Sequence, residues 1–229
     1  MRPQVVVVMG ASVDGRITTA PGRNVGEWAA ERLNGRAHDL LNGLYDRLAC
    51  DGLMSGSESV LVWGNHEVAL AFEPDWPKKS QAYIVFDGRG RIDWAYTKRL
   101  IVGTRENTPT SYYDQLRSKQ IDNIKAGVGE YIDLGNALEQ LFRRGFRKLA
   151  LTGGGKINGA FLRAGLVDEI SILWSPLLVG GETTPTIFEA PNLESWKGIV
   201  RLNLVQSEVW DSNLIWAHYR ILRVNVGLT

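Results

Sequence analysis

The 229-residue chain is predicted to fold as an α/β protein, with a mainly parallel central sheet flanked by helices and a C-terminal antiparallel hairpin. Three features predict it. Val5 to Met9 is an unbroken, largely β-branched apolar run, the pattern of a strand buried on both faces in the middle of a sheet. Strand-like and helix-like segments then alternate, as in parallel strands joined by helical crossovers. At the end, two long strand segments, Ile199 to Val205 and Leu214 to Val224, flank the turn residues Trp210-Asp211-Ser212-Asn213.

Each element has its own warrant. From Glu27 to Cys50, Ala30, Leu33, Ala37, Leu40, Leu41, Leu44 and Leu48 recur at spacings of three and four, which predicts an amphipathic helix weakened at Gly35 and Gly43. Gly52 to Ser55 reads as a short strand, and Gly56-Ser57-Glu58-Ser59 opens an apolar segment ending at Trp63. Gln81 to Phe86 is a strand ended by the turn Asp87-Gly88-Arg89-Gly90, and Arg99 to Val102 is another that runs into Gly103-Thr104-Arg105. Thr110 and Ser111 are candidate caps of a helix reaching Gln120. Asp133 to Gly145 carries a capping aspartate, a stripe of Leu134, Ala137, Leu138, Leu141 and Phe142, and a glycine stop. Glu169 to Trp174 is the last strand before the hairpin. The length favours one domain spanning 1–229.

Composition narrows the function. Lys and Arg total 26 against 25 Asp and Glu, a net charge of +1, so there is no global attraction to nucleic acid or to an anionic membrane. Cys50 has no second cysteine to pair with and reads as a small buried hydrophobe. His38, His66 and His218 lack metal-ligand spacing, so no metal is expected. The apolar run near the N-terminus is too short for a signal peptide or a spanning helix, and a cytoplasmic location follows as the expectation.

The most informative stretch is Leu149-Ala150-Leu151-Thr152-Gly153-Gly154-Gly155-Lys156-Ile157, an apolar strand passing through three glycines into a helical pattern. Glycines let the backbone turn sharply beside a ligand, and the unpaired amides of the following helix suit a phosphate or pyrophosphate. A flexible glycine turn is the alternative. Ser55-Gly56-Ser57-Glu58, Gly103-Thr104-Arg105 and Thr152 to Lys156 each follow a strand, so a parallel sheet would bring them to one edge. Gly10 to Ile17 leaves the first strand at the same edge.

Taken in order, Ala11-Ser12-Val13-Asp14-Gly15-Arg16-Ile17, Gly153 to Gly159, Leu162-Arg163-Ala164-Gly165-Leu166-Val167-Asp168-Glu169 and Pro176-Leu177-Leu178-Val179-Gly180-Gly181 resemble the C-terminal reductase domain of the riboflavin-biosynthesis deaminase-reductase, a dihydrofolate reductase-like fold. The resemblance spans nearly the whole chain and implies an NADPH-dependent reductase acting on a small heterocyclic substrate. It implies that Gly153, Gly154 and Gly155, with the amides of Lys156 and Ile157, hold the pyrophosphate. Gly56 and Ser57 form a second coenzyme loop, Thr104 and Arg105 sit by the adenosine ribose with Arg105 on a 2′-phosphate, and Ala11 and Ile17 flank a loop over the nicotinamide. Asp14 in that loop is a candidate acid or a turn-former. Glu58 would cap a helix or face solvent. Ser12, Asn65 and Thr152 are candidate substrate contacts, and Trp28, Trp63 and Trp76 a candidate stacking surface.

Family members usually carry a lysine in the first strand, an acid beyond the second loop and a glutamate before the glycines. This chain has Val8, Trp63-Gly64-Asn65 and Thr152 there, which leaves the substrate open. The implied reaction is hydride transfer to a C=N or C=O carbon of a ribosylamino-pyrimidine. Dihydrofolate or pteridine reduction is the alternative, and a nucleotide-binding paralogue without catalysis a third. Family members commonly form homodimers, and Trp210 and Trp216 lie on the hairpin that could serve as the interface.

Overall fold

The structure, a computed structural model, describes residues 1–23, 37–63, 81–95 and 98–222. Trp28, Asn65, Trp76, His66 and the first part of the helix expected from Glu27 lie outside the described residues. The strands are β1 (Gln4–Ser12), β2 (Gly52–Gly56), β3 (Ala82–Phe86), β4 (Leu100–Thr104), β5 (Asp122–Lys125), β6 (Lys148–Leu151), β7 (Glu169–Ser175), β8 (Arg201–Trp210) and β9 (Leu214–Leu222). The described α-helices are α1 (Ala37–Arg47), α2 (Ser57–Trp63), α3 (Thr110–Ser118), α4 (Leu134–Arg143) and α5 (Gly155–Arg163).

One sheet holds all nine strands in the order β5-β4-β3-β2-β6-β1-β7-β9-β8. Pairing is parallel from β5 through β7 and antiparallel for β7 with β9 and β9 with β8. β1 lies between β6 and β7, which explains its unbroken apolar run: Val5, Val7 and Met9 face one layer of the core, with Leu138, Leu141 and Phe161, while Val6 and Val8 face Leu44 and Trp216 on the other. Each such fully buried side chain contributes about 1.5–3 kcal/mol of transfer free energy. A third cluster, Val85, Ile92, Trp94, Leu100, Val102 and Leu116, fills the β3–β4 end. Cys50 is buried, and desolvation pushes its thiol up to about 12, as befits a small core residue.

The helix signals have clear physical counterparts. Asp133 caps α4 by accepting the Asn136 amide at 2.9 Å, Ala137, Leu138 and Leu141 are buried, and Gly145 follows the helix in the left-handed region at φ +102°. At α3 the expectation is corrected. Pro109 holds the N-cap position, Thr110 and Ser111 lie inside the helix, and no side chain caps it. β5 has no counterpart in the sequence reading, because Asp122-Asn123-Ile124-Lys125 is an edge strand with one fully buried residue, Ile124.

Candidate functional site

The sheet opens beside β1. β1 pairs with β6 only as far as Val7 and Leu151, whereas its pairing with β7 runs on to Ser12 and Ser175. Among the described residues, Val8 to Ser12 therefore have no strand on the β6 side. There the chain leaves β6 and turns toward β2: the Thr152 amide donates to the Met54 carbonyl at 2.8 Å and the Gly56 amide to the Gly153 carbonyl at 3.1 Å. A crevice at the carboxyl ends of parallel strands, where neighbouring chains part, is the usual ligand position in such sheets.

The glycine turn forms one wall of it. Gly153 has φ +108°, a conformation that favours glycine, and a Cβ there would lie 2.9 Å from the Met9 methyl carbon, which would have to move aside. Gly154 is the N-cap of α5 and no side chain caps that helix; its amide donates to Ser59 Oγ at 2.6 Å. The first bond within the helix runs from the Asn158 amide to the Gly154 carbonyl at 3.1 Å. The amides of Gly155, Lys156 and Ile157 thus precede the helical ladder and, with the helix dipole, suit a negatively charged group. Lys156 is exposed on this turn and Ile157 is half-buried against Gly56, whose added Cβ would come within 3.3 Å of Ile157 Cβ.

Gly155 departs from the simple cradle. A Cβ on it would lie 2.3 Å from the Thr186 carbonyl oxygen and 2.8 Å from Glu189 Oε2, so its bare Cα makes room for the segment 184–189 and not for a ligand. Only its amide is left for anion binding.

The opposite wall is the loop after β1. Ser12 is fully buried; its hydroxyl donates to Asp14 Oδ1 at 2.6 Å and accepts the Arg16 amide at 2.9 Å, which closes the turn internally. Asp14 also accepts the amides of Val179 at 3.2 Å and Gly180 at 2.8 Å. The Ser12 hydroxyl, followed by the Gly180 amide, holds the Asp14 carboxyl down at about 2. Of the two readings of Asp14, these bonds favour the turn-former: the carboxylate clasps the loop after β1 to the 179–180 segment. Ala11 and Ile17 are buried, and any ligand contact from Ala11 is a main-chain contact.

Farther along the edge, the Thr104 hydroxyl is buried, donating to the Ile124 carbonyl at 3.0 Å and accepting from Tyr113 at 3.1 Å. The hydroxyl is thus occupied by structural bonds, which leaves the Thr104 main chain for any ribose contact. Arg105 is not a loose surface charge: Nε donates to the Gly88 carbonyl at 2.7 Å and Nη1 to the Glu130 carbonyl at 2.6 Å. These bonds fix the guanidinium plane while Nη2 has no partner among the described residues. Ser57 Oγ accepts from Arg91 Nη2 at 3.0 Å, and the same nitrogen pairs with Glu58 at 2.5 Å. Arg91 has no local signal, because Asp87 to Gly90 reads only as a turn and its partners Ser57 and Glu58 lie 34 and 33 residues away. Its placement depends on Asp87, fully buried, whose Oδ2 accepts the amides of Arg91 and Ile92 and the Tyr112 hydroxyl. Thr152 Oγ1 donates to the Met54 carbonyl at 3.0 Å, leaving its hydroxyl proton unavailable to a substrate. The structure therefore unites the Gly56 and Gly153–Ile157 loops directly, sets Ala11 to Ile17 across the crevice, and holds Thr104 and Arg105 at the β4 end.

The strand parting beside β1 is thus flanked by a glycine turn that opens a helix and by the loop after β1. The RibD C-terminal domain family matches residues 3–216, and the chain belongs to that family. It is 30% identical over 227 residues to a 2,5-diamino-6-ribosylamino-4(3H)-pyrimidinone 5′-phosphate reductase of Methanothermobacter thermautotrophicus, covering 94% of this chain and 97% of the relative. The protein of the same name from Aquifex aeolicus is 28% identical over 220 residues, covering 93% and 95%. Among solved structures, a pyrimidine reductase-like protein from Corynebacterium diphtheriae superposes with a TM-score of 0.72 at 17% identity, covering 96% of this chain and 92% of that one. The fold is shared at that distance. No described helix is long and apolar enough to cross a membrane.

Proposed function

We propose that this protein is an NADPH-dependent reductase that delivers hydride to a C=N or C=O carbon of 2,5-diamino-6-ribosylamino-4(3H)-pyrimidinone 5′-phosphate or a closely related ribosylamino-pyrimidine. The observation that carries the reading is the parting of β1 from β6 after Val7 and Leu151, with the α5 amides on one side and the Ala11–Ile17 loop on the other. The family and the full-length relatives named as this reductase support the substrate class.

NADPH would lie along the edge of the sheet. The amides of Gly155, Lys156 and Ile157 would receive the pyrophosphate, and Arg105, fixed by the Gly88 and Glu130 carbonyls, would direct Nη2 to the 2′-phosphate. Such preorganisation reduces the ordering cost of binding. The coenzyme supplies the hydride. The protein's part is to orient the reactants over the parted strands and exclude water, with Ser12, Asp14 and Arg16 fixing the loop above them.

The same reading makes the molecule a cytoplasmic homodimer. Every residue of β8 from Arg201 to Ser207 is exposed, and Leu202, Leu204, Val205 and Val209 expose 41%, 52%, 46% and 78% of their surface. A long apolar edge strand of this kind invites pairing with a second copy.

The deciding experiment is a steady-state assay of NADPH oxidation with the ribosylamino-pyrimidinone phosphate and, separately, with dihydrofolate. Turnover of the first alone is expected. Turnover of dihydrofolate alone would replace the substrate assignment, and tight NADPH binding with neither turned over would point to a binding module.

A further inference from the structure

We infer that Asn158 is a positioning residue: through the extended segment 184–189 it ties the anion-binding end of α5 to the loop 10–17 across the crevice. The inference rests on the coenzyme reading above and deepens it.

The segment is bonded on both sides. Toward α5, the Glu189 amide donates to the Gly155 carbonyl at 2.9 Å, and Asn158 Nδ2 donates to the Ile187 carbonyl at 2.8 Å. Toward the loop, Arg16 Nη1 donates to the Thr184 carbonyl at 2.5 Å, the Ile17 amide to the Pro185 carbonyl at 3.1 Å, and the Ile187 amide to the Gly15 carbonyl at 3.2 Å. Ile187 is therefore held by its carbonyl to the helix and by its amide to the loop. A shift of one side is transmitted through a single peptide's length of chain.

The contact has almost no slack. Cβ atoms on Gly155 and Gly159 would lie 2.3 Å from the Thr186 oxygen and 2.0 Å from the Glu189 oxygen, so the helix backbone rests directly on the segment. Asn158 projects from that same helix, is fully buried, and supplies a side-chain hydrogen bond to the segment; its Oδ1 is buried with no partner among the described residues. A buried amide with one of its groups unsatisfied contributes little as a stabiliser alone, because the unpaired oxygen is costly. What it adds is registry: it fixes where Ile187 sits along α5, and so where Gly15 and Ile17 sit above the crevice. An anion drawn onto the amides of Gly155 to Ile157 would then order a loop it does not touch.

The test is hydrogen exchange on the whole chain with 2′-phospho-ADP-ribose, which has the coenzyme's pyrophosphate but lacks the nicotinamide. In the wild-type protein the analogue is expected to slow exchange in the peptide covering 10–18 about five-fold, the effect of one added hydrogen bond's worth of protection. In Asn158→Ala it should bind within about three-fold of wild type but leave that peptide unprotected, with kcat reduced and the KM for NADPH little changed. Should Asn158→Ala fold poorly, Asn158→Leu, nearly isosteric, removes the amide donor without leaving a cavity and should likewise uncouple the loop. Analogue binding without loop protection in the wild type, or protection kept in either folded variant, overturns the inference. If the analogue fails to bind at all, the coenzyme reading falls; unliganded Asn158→Ala then decides the strap, which requires faster exchange at 10–18 than in wild type.

Discussion

Arg105→Ala separates a structural clamp from a phosphate reader. The side chain makes hydrogen bonds to the carbonyls of Gly88 at 2.7 Å, Glu130 at 2.6 Å and Gly129 at 3.3 Å. Bonds from a charged donor contribute about 1.5–3 kcal/mol when buried, but this group is half-exposed and the freed carbonyls regain water, so the stability loss is about 1–2 kcal/mol. Both coenzymes should feel that loosening of the loops equally. Only NADPH should lose a further charge-assisted contact, about 1.5–3 kcal/mol, or about 10- to 100-fold in Kd. Fluorescence titration of each reduced coenzyme gives the two constants, and thermal unfolding measures the clamp separately. The NADPH-to-NADH preference is expected to collapse, with Arg105→Lys intermediate because it keeps the charge and loses the fork. An unchanged preference, with both coenzymes weakened by one factor, would refute the phosphate role and leave Arg105 as a loop clamp.

Asp14 gives a prediction in pH. Its carboxyl is depressed from 3.8 to about 2 in the folded protein, so its stabilising contribution is complete above its unfolded value and disappears as pH falls from about 4 toward 2. Acid unfolding of Asp14→Asn should lack that component, while its pH–rate profile near neutrality keeps the wild-type shape; loss of a neutral-range limb would restore Asp14 as an acid. Gly159→Ala drives a Cβ to 2.0 Å from the Glu189 oxygen and should cost about 1–3 kcal/mol, read as a lowered Tm. Asp133→Ala removes the α4 cap and should cost about 1 kcal/mol by urea unfolding, with coenzyme affinity untouched. Leu204→Glu on the exposed strand should convert a dimer to a monomer by sedimentation, and a wild-type monomer at all concentrations would end the interface reading.

Much of this fold could be read because its strongest signals are local. The β1 run, the Asp133 cap and the strand-to-glycine-to-helix passage at Leu149 to Ile157 each carry their physics within a few residues. β5 was not legible, since an edge strand needs no apolar alternation. At the site, the glycine turn and the loop after β1 were identifiable, but the individual work of their residues was not. Gly155 looks like its neighbours until Thr186 and Glu189 are set against it; Asp14 reads locally as an acid or a turn-former, and its bonds to the distant amides of Val179 and Gly180 leave no local trace. Arg91 and Asn158 were overlooked for the same reason. Each is defined by a partner at least 29 residues away, in the case of Asn158 and Ile187, or 33 for Arg91 and Glu58.

The placement of β1 has a practical effect on how variants of this protein will be scored. One strand is at once the middle of the hydrophobic interior and, past Val7, in the function proposed above, the floor on which reactants would rest. Substitutions at Val8, Met9 or Ala11 will therefore lower abundance and turnover together, and a screen that counts only product will mistake damaged packing for damaged chemistry. Normalising each variant to its soluble yield is what distinguishes the two along this strand.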